Sequence, residues 1–269
     1  MPEGDTIYRA AENVGRALTD QILTRVQGSH PAIRTEASRL EGAVVTAVRS
    51  YGKHHLVDTD AGLTIRTHMG MPGVWHVYER HARWAKPVGA ARVILATTDH
   101  AAVCFAAPTV EVDKTDRING VLRQWGPDLT ADTFDEHDAA RRMAEQLPDR
   151  PIGDVLLDQR VMAGVGNVYK SEILFMHRLN PMTPSGQLDD AVKGQLVKRA
   201  RQLLMINRER PRRITTGDTR RGRELWVYDR ASEPCRRCRT AIESAWIGDF
   251  ERITYWCPTC QPDLSAGRM

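Results

Sequence analysis

Apolar residues recur at Ile7, Ala10, Ala11, Val14, Ala17 and Leu18, the spacing of one helical face, so residues 5–18 predict an amphipathic helix. Asp5 or Thr6 supplies the kind of side-chain oxygen that caps a helix start. From Ala43 to Val112 the pattern shortens to β-rich runs: Val44–Val48, His55–Asp58, Leu63–Thr67, Val74–Tyr78, Arg92–Thr97 and Ala102–Ala106. Gly52, Gly62, Gly70, Gly73 and Gly89 punctuate them at hairpin spacing, which predicts an antiparallel sandwich or barrel. After Pro151 the runs become helical again, over 152–158, 167–177 and 189–206, and a last β-rich segment spans 225–260. No run of eighteen apolar residues exists, so no membrane helix is expected. The fold class is α+β and multidomain.

A length of 269 residues corresponds to about two domains at roughly 150 residues each. The expected divisions are 1–127, a connection over 128–150, a helical domain over 151–228 and a cysteine-bearing module over 229–262. The connection follows Gly126-Pro127, is acidic, carries one short helix, and ends at Pro148 and Pro151. Only 5 cysteines occur, and the first residues lack both a basic and an apolar leader segment, so the chain is expected in the reducing cytoplasm.

The net charge is +4, but its distribution is uneven. Between Val197 and Thr240 there are fourteen Lys and Arg against five Asp and Glu, a local +9 that leaves −5 for the rest. Such a concentration fits either a polyanion partner or a solvated helix face.

Cys235-x2-Cys238 and Cys257-x2-Cys260, eighteen residues apart, have the spacing of a four-thiolate zinc ribbon. Two disulfides or a redox CxxC are the alternatives, and the reducing compartment and absence of a βαβ pattern weigh against both. A closed shell of four thiolates would hold one structural zinc ion per chain and leave it no chemistry to perform. Cys104, in an apolar run, reads as core.

Pro2 follows an initiator Met1 that is expected to be removed, which would expose a secondary amine. An α-amino group has a pKa near 8 against about 10.4 for lysine, so it is the better nucleophile near neutral pH. Glu3, adjacent, can shuttle protons, although Pro2-Glu3-Gly4 also reads as a plain helix lead-in.

Four features then occur in order: Pro2-Glu3-Gly4; Gly52-Lys53-His54; Asp154 to Gln159 with Gly164-Val165-Gly166-Asn167-Val168-Tyr169; and the four-cysteine finger. Together they resemble the formamidopyrimidine-DNA glycosylase/endonuclease VIII family over nearly the whole chain. The resemblance implies a bifunctional DNA glycosylase/AP lyase of base excision repair, acting as a monomer on damaged DNA. It implies an N-terminal β-sandwich flanked by helices, then a helix-two-turns-helix domain with a zinc finger. Pro2 matches the family nucleophile that forms a Schiff base with sugar C1′, and Glu3 the acid that protonates the sugar. Lys53 matches the hairpin lysine that donates a proton and contacts phosphate. Asn167 matches an asparagine that binds backbone phosphate, and Arg252 the finger arginine assigned to δ-elimination. Met71, in His68-Met69-Gly70-Met71-Pro72-Gly73, matches the loop that fills the void left by a flipped base. Arg123, before Trp125-Gly126-Pro127, is a further candidate DNA contact at an offset shifted by one.

Two departures matter. Asp5 and Thr6 stand where the family usually carries a residue and then a glutamate, so that acid's role is lost or passes to Asp5. The loop Gly217 to Arg223 is short; in the purine-specific branch it is longer and caps an oxidised purine. With Pro2-Glu3-Gly4-Asp5-Thr6 at the start, this resembles the actinobacterial endonuclease VIII type and favours oxidised pyrimidines. An oxidised-purine enzyme, or a DNA-binding paralogue without catalysis, are the alternative readings.

Overall fold

The structure, a computed structural model, describes residues 2–263. The polypeptide divides into two compact units, 1–124 and 125–269. No helix among the described residues is long and apolar enough to cross a membrane.

The first unit is an antiparallel sandwich with helices on it. In chain order it runs α1 (Gly4–Leu18), β1 (Arg25–Gln27), α2 (Pro31–Leu40), β2 (Val45–Tyr51), β3 (His54–Thr59), β4 (Leu63–His68), β5 (Val74–Glu79), β6 (Ala91–Ala96), β7 (His100–Phe105), β8 (Thr109–Lys114) and α3 (Thr115–Leu122). One sheet has the order β1-β6-β7-β5 and the other β2-β3-β4-β8. Alternation decides which face is buried: Leu63 and Ile65 of β4 enter the core with Val57 of β3 and Val110 of β8, while Arg66 turns outward to Glu111. Val93, Leu95 and Cys104 close the core from the second sheet, and Ile7, Val14 and Leu18 cover it with the face of α1 that periodicity predicts. Cys104 is core as expected, and burial pushes its thiol up to about 12.

Neither Asp5 nor Thr6 caps α1. The N-cap is Glu3, whose carbonyl accepts the N–H groups of Thr6 and Ile7 at 2.9 and 3.0 Å without any side-chain cap, which places Asp5 inside the first turn. Sequence periodicity also passed over β1, α2 and α3.

The second unit contains α4 (Glu136–Ala144), α5 (Ile152–Leu157), α6 (Asn167–Met176), α7 (Asp190–Arg208), β9 (Glu243–Ile247) and β10 (Arg252–Trp256). The acidic stretch 128–150 is not a free connection: Leu129, Ala139 and Met143 are buried in this unit's core with Tyr169, Ile173 and Leu204. Asp135 caps α4 by accepting from the N–H of Asp138. Within the β-rich segment 225–260 only β9 and β10 are strands; Trp226 to Tyr228 lies in turns whose N–H groups are taken by a side chain instead of a neighbouring strand.

Candidate functional site

In the first unit the chemistry begins at the chain start. Met1 lies outside the described residues. Pro2 is half-buried, and Glu3 and Asp5 are both fully buried at the N-terminal turn of α1. The partial positive charge of a helix start stabilises carboxylates placed there. Asp5 accepts a hydrogen bond from the Thr6 hydroxyl at 3.3 Å and pairs with Arg9 at 3.7 Å, and Arg9 also donates to the Thr6 hydroxyl. A buried carboxylate therefore persists beside Glu3 although Thr6 cannot provide one.

Lys53 sits in the turn between β2 and β3, where Gly52 takes a φ of +53 that suits glycine. Beside it the imidazoles of His54 and His68 face each other across β3 and β4 at 5.3 Å. Burial, then His68, Arg66 and Lys53, pushes His54 down to about 3, so it is neutral at physiological pH. His68 is lowered by burial and by the same Lys53 and Arg66. Sequence reasoning missed this pair; the only signal is that His54 follows the Gly52-Lys53 turn while His68 ends the run before Met69-Gly70.

Met71 is 65% exposed, whereas Met69 two residues earlier is buried. The loop is fixed by close backbone packing: Gly73 donates to the Met69 carbonyl at 2.8 Å, and a Cβ at Gly73 would lie 2.3 Å from that oxygen. Met71 is thus an apolar side chain projecting from a rigid turn and not a packed core residue. Arg123 is exposed at the C-terminal end of α3.

In the second unit the run from Asp158 to Tyr169 proves to be a set of mutual braces. The Gln159 amide donates to the carbonyls of Leu157 and Val165 and accepts from the Gly164 N–H, which locks the turn entering α6. Asp158 binds Arg150 and Arg160, and those guanidinium bonds outweigh its burial and hold its carboxyl at about 2. Asn167 opens α6 but does not face outward: it is 3% exposed, and its amide donates to the Ile253 carbonyl at 2.6 Å, next to Arg252. The structure therefore brings Asn167 and Arg252 together. Arg252 itself is exposed and forms no ion pair with Asp249 or Glu251 among the described residues.

Glu172, which sequence reasoning missed, is fully buried and accepts from the N–H groups of Trp226, Val227 and Tyr228 at 2.7, 2.8 and 2.9 Å, and from the Thr215 hydroxyl. Burial still raises its carboxyl above the usual range. Much of the basic stretch is likewise structural. Arg201, Arg208, Arg230, Arg236 and Arg237 donate to backbone carbonyls, and Arg237 also lies over the Phe175 ring at 4.4 Å. Arg212 pairs with Glu224 and Arg220 with Asp218, which leaves Arg221 and Arg223 exposed on the 217–223 loop.

The four finger cysteines converge, with sulfur atoms all within 4.8 Å of one another. Cys238 and Cys257 are 3.4 Å apart and Cys235 and Cys260 3.9 Å, far longer than the roughly 2.05 Å of a disulfide. Tetrahedral thiolates at about 2.3 Å from one ion would lie about 3.8 Å apart, so the cluster fits a metal of zinc's size and geometry.

Comparison with known proteins places this geometry. The Formamidopyrimidine-DNA glycosylase N-terminal domain matches residues 1–109 and the Formamidopyrimidine-DNA glycosylase H2TH domain residues 125–215. A probable endonuclease 8 2 of Streptomyces coelicolor is 41% identical, over 97% of this chain and 94% of that protein. The DNA-(apurinic or apyrimidinic site) lyase Nei2 of Mycolicibacterium smegmatis is 42% identical, over 97% and 99%. Among solved structures, a Lactococcus lactis Fpg in complex with abasic-site DNA superposes with a TM-score of 0.82 at 20% identity, over 97% of this chain and 100% of that one, a likeness of fold.

Proposed function

The chain belongs to the formamidopyrimidine-DNA glycosylase/endonuclease VIII family, in its actinobacterial endonuclease VIII type, and is a DNA glycosylase/AP lyase of base excision repair; on that premise we propose that it removes oxidised pyrimidines through Pro2 and cuts the strand by β,δ-elimination. The observation that carries this reading is the chain start, where Pro2 adjoins a wholly buried Glu3 at the N-terminus of a packed helix.

Once Met1 is removed, the Pro2 nitrogen attacks C1′ of the damaged nucleotide, and the bond from C1′ to the base breaks with its electron pair leaving on the base. The proton shed by the Pro2 nitrogen neutralises the departing base. Glu3 protonates the sugar ring oxygen as the C1′–O4′ bond opens, which leaves an iminium between Pro2 and C1′. Loss of a C2′ proton expels the 3′ phosphate, and loss of a C4′ proton then expels the 5′ phosphate. Lys53 donates protons and contacts phosphate at the first unit's hairpin turn, and Arg252, with the N-terminus of α6 at Asn167, grips backbone phosphate on the second. Met71 fills the gap left by the flipped base, whose extrusion costs a few kcal/mol. Arg123 and the exposed Arg221 and Arg223 add backbone contacts. Cys235, Cys238, Cys257 and Cys260 hold one zinc ion, whose role is to fold the finger. The short 217–223 loop favours a pyrimidine pocket over a capped purine. The enzyme works as a monomer on damaged duplex in the cytoplasm, at the nucleoid.

Borohydride trapping on abasic-site DNA is the test. Protein shown by mass spectrometry to begin at Pro2 is expected to give a covalent adduct, and Pro2→Gly or retained Met1 to lower or abolish it. Excision of thymine glycol or 5-hydroxyuracil is expected to exceed that of 8-oxoguanine. Absence of any adduct from correctly processed protein would sink the nucleophile assignment.

A further inference from the structure

Arg252 is the first residue of β10, directly after the turn Gly248–Glu251 that joins it to β9. That turn lacks an apolar anchor. Phe250 is 42% exposed, and Gly248 and Glu251 adopt left-handed φ values of +81 and +45. A carboxylate from another element holds it instead. Asp154, in α5, is only 3% exposed, and its Oδ2 accepts the Asp249 N–H at 2.9 Å. The fit is close, since a Cβ on Gly248 would lie 2.2 Å from Asp154 Oδ1. Only glycine lets the turn seat on that carboxylate.

Charge makes the arrangement notable. Burial raises the Asp154 carboxyl above its usual range and the like charge of Asp249 adds to that, while the Asp249 N–H, Lys170 and Arg150 pull the other way without cancelling it. Lys170, 2% exposed, donates to the Thr254 hydroxyl at 2.5 Å, and Asn167 holds the Ile253 carbonyl. These contacts brace the strand on one side of Arg252, and Asp154 alone among them braces the turn on the other.

We propose that Asp154 is a positioning residue that latches the β9–β10 turn to α5 and thereby sets the direction in which Arg252 is presented. The inference rests on the reading of Arg252 as a phosphate contact for δ-elimination. Asp154 acts through its hydrogen bond to the turn and touches no substrate. Carboxylate-to-amide hydrogen bonds are stronger than neutral ones, so the latch is worth more than an ordinary turn contact.

The test uses the full-length protein with Asp154→Ala, Asp154→Asn and Arg252→Gln. Asp154→Ala is expected to raise hydrogen exchange over 246–253 without raising it over α6. It is expected to lower the ratio of δ to β product by about tenfold, the effect of one lost charge-assisted hydrogen bond, while borohydride trapping stays at the wild-type level. Asp154→Asn keeps an acceptor oxygen and is expected to restore most of both. Unchanged exchange at the turn in Asp154→Ala overturns the latch, as does a general loss of protection across the unit with no rescue by asparagine. If exchange rises at the turn but Arg252→Gln itself leaves the product ratio unchanged, the latch stands and the reading of Arg252 falls.

Discussion

In the first unit every proposed functional residue stands at the end of an element whose body is packed in hydrocarbon: Pro2 and Glu3 before α1, Lys53 between β2 and β3, Met71 between β4 and β5, and Arg123 after α3. In the second unit the corresponding residues are reached through buried polar atoms. Asn167, Asp154, Lys170 and Glu172 are all nearly or fully buried, and each holds backbone or a hydroxyl of the loops that follow α6 or of the finger. A hydrocarbon core tolerates volume-conserving change with modest loss. A buried hydrogen-bonded charge does not, because removing it strands its partners. The same kind of substitution should therefore cost the second unit more than the first.

The largest separation should come from the finger's metal. Cys257→Ser, or chelation, removes a shell whose zinc would contribute on the order of 10 kcal/mol to folding. The expected result is loss of hydrogen-exchange protection over 229–262 and of DNA affinity, with the sandwich still protected and zinc content falling from one per chain. Protection lost equally in both units would contradict the separation.

Glu172 should come next. Glu172→Ala leaves three backbone N–H groups and the Thr215 hydroxyl without their acceptor, a loss of about 3–5 kcal/mol by the measure of a broken buried charge network. Glu172→Gln keeps one acceptor oxygen and should lose less. Arg66→Met, which breaks a partly exposed pair with Glu111 in the first unit, should lose about 1 kcal/mol or less. Urea unfolding that ranks Arg66→Met above Glu172→Ala would reverse the comparison.

How far each unit could be read from sequence follows from the same distinction. Strands β2 to β7 were legible because alternation and glycine punctuation are local, and α1 because its apolar stripe is. β1 is too short to show a period, and α2 mixes Arg34, Glu36 and Arg39 into its turns, so only burial of Ile33 and Leu40 reveals it. The convergence of the four cysteines was legible from spacing alone. Asp154 and Glu172, by contrast, look in sequence like any solvated acid, and their roles depend on residues 95 and 54 positions away, respectively. The basic stretch divides, since several of its arginines are spent on carbonyls within the fold while Arg221 and Arg223 stay exposed.

Acid offers the gentlest way to separate the units. In the first, His54 and His55 are both pushed down to about 3, chiefly by burial, and His55 stacks on Trp75 at 4.7 Å. An unfolded histidine binds its proton near 6.5, so the unfolded chain takes up more protons than the folded unit between about 6.5 and 3. Their contribution is complete above pH 6.5 and is lost as pH falls through that window. From about pH 7 to about pH 5.5 each costs on the order of 1 kcal/mol. Glu172 has the opposite sign: its raised carboxyl contributes most at low pH and loses that contribution as pH rises. Asp158, held at about 2, keeps its contribution above the ordinary carboxylate range and loses it as pH falls from there toward 2. Urea-dependent proteolysis with fragments assigned by mass should therefore show the sandwich becoming easier to cleave on mild acidification by a larger factor than the second unit, where burial and Arg199 lower His177. His55→Phe keeps the ring stacked on Trp75 and removes one of the two most strongly lowered groups, so it should make that dependence measurably shallower, with His30, His68 and His76 supplying part of what is left. Equal acid sensitivity in both units, or an unchanged slope in His55→Phe, would show that the buried imidazoles do not set it.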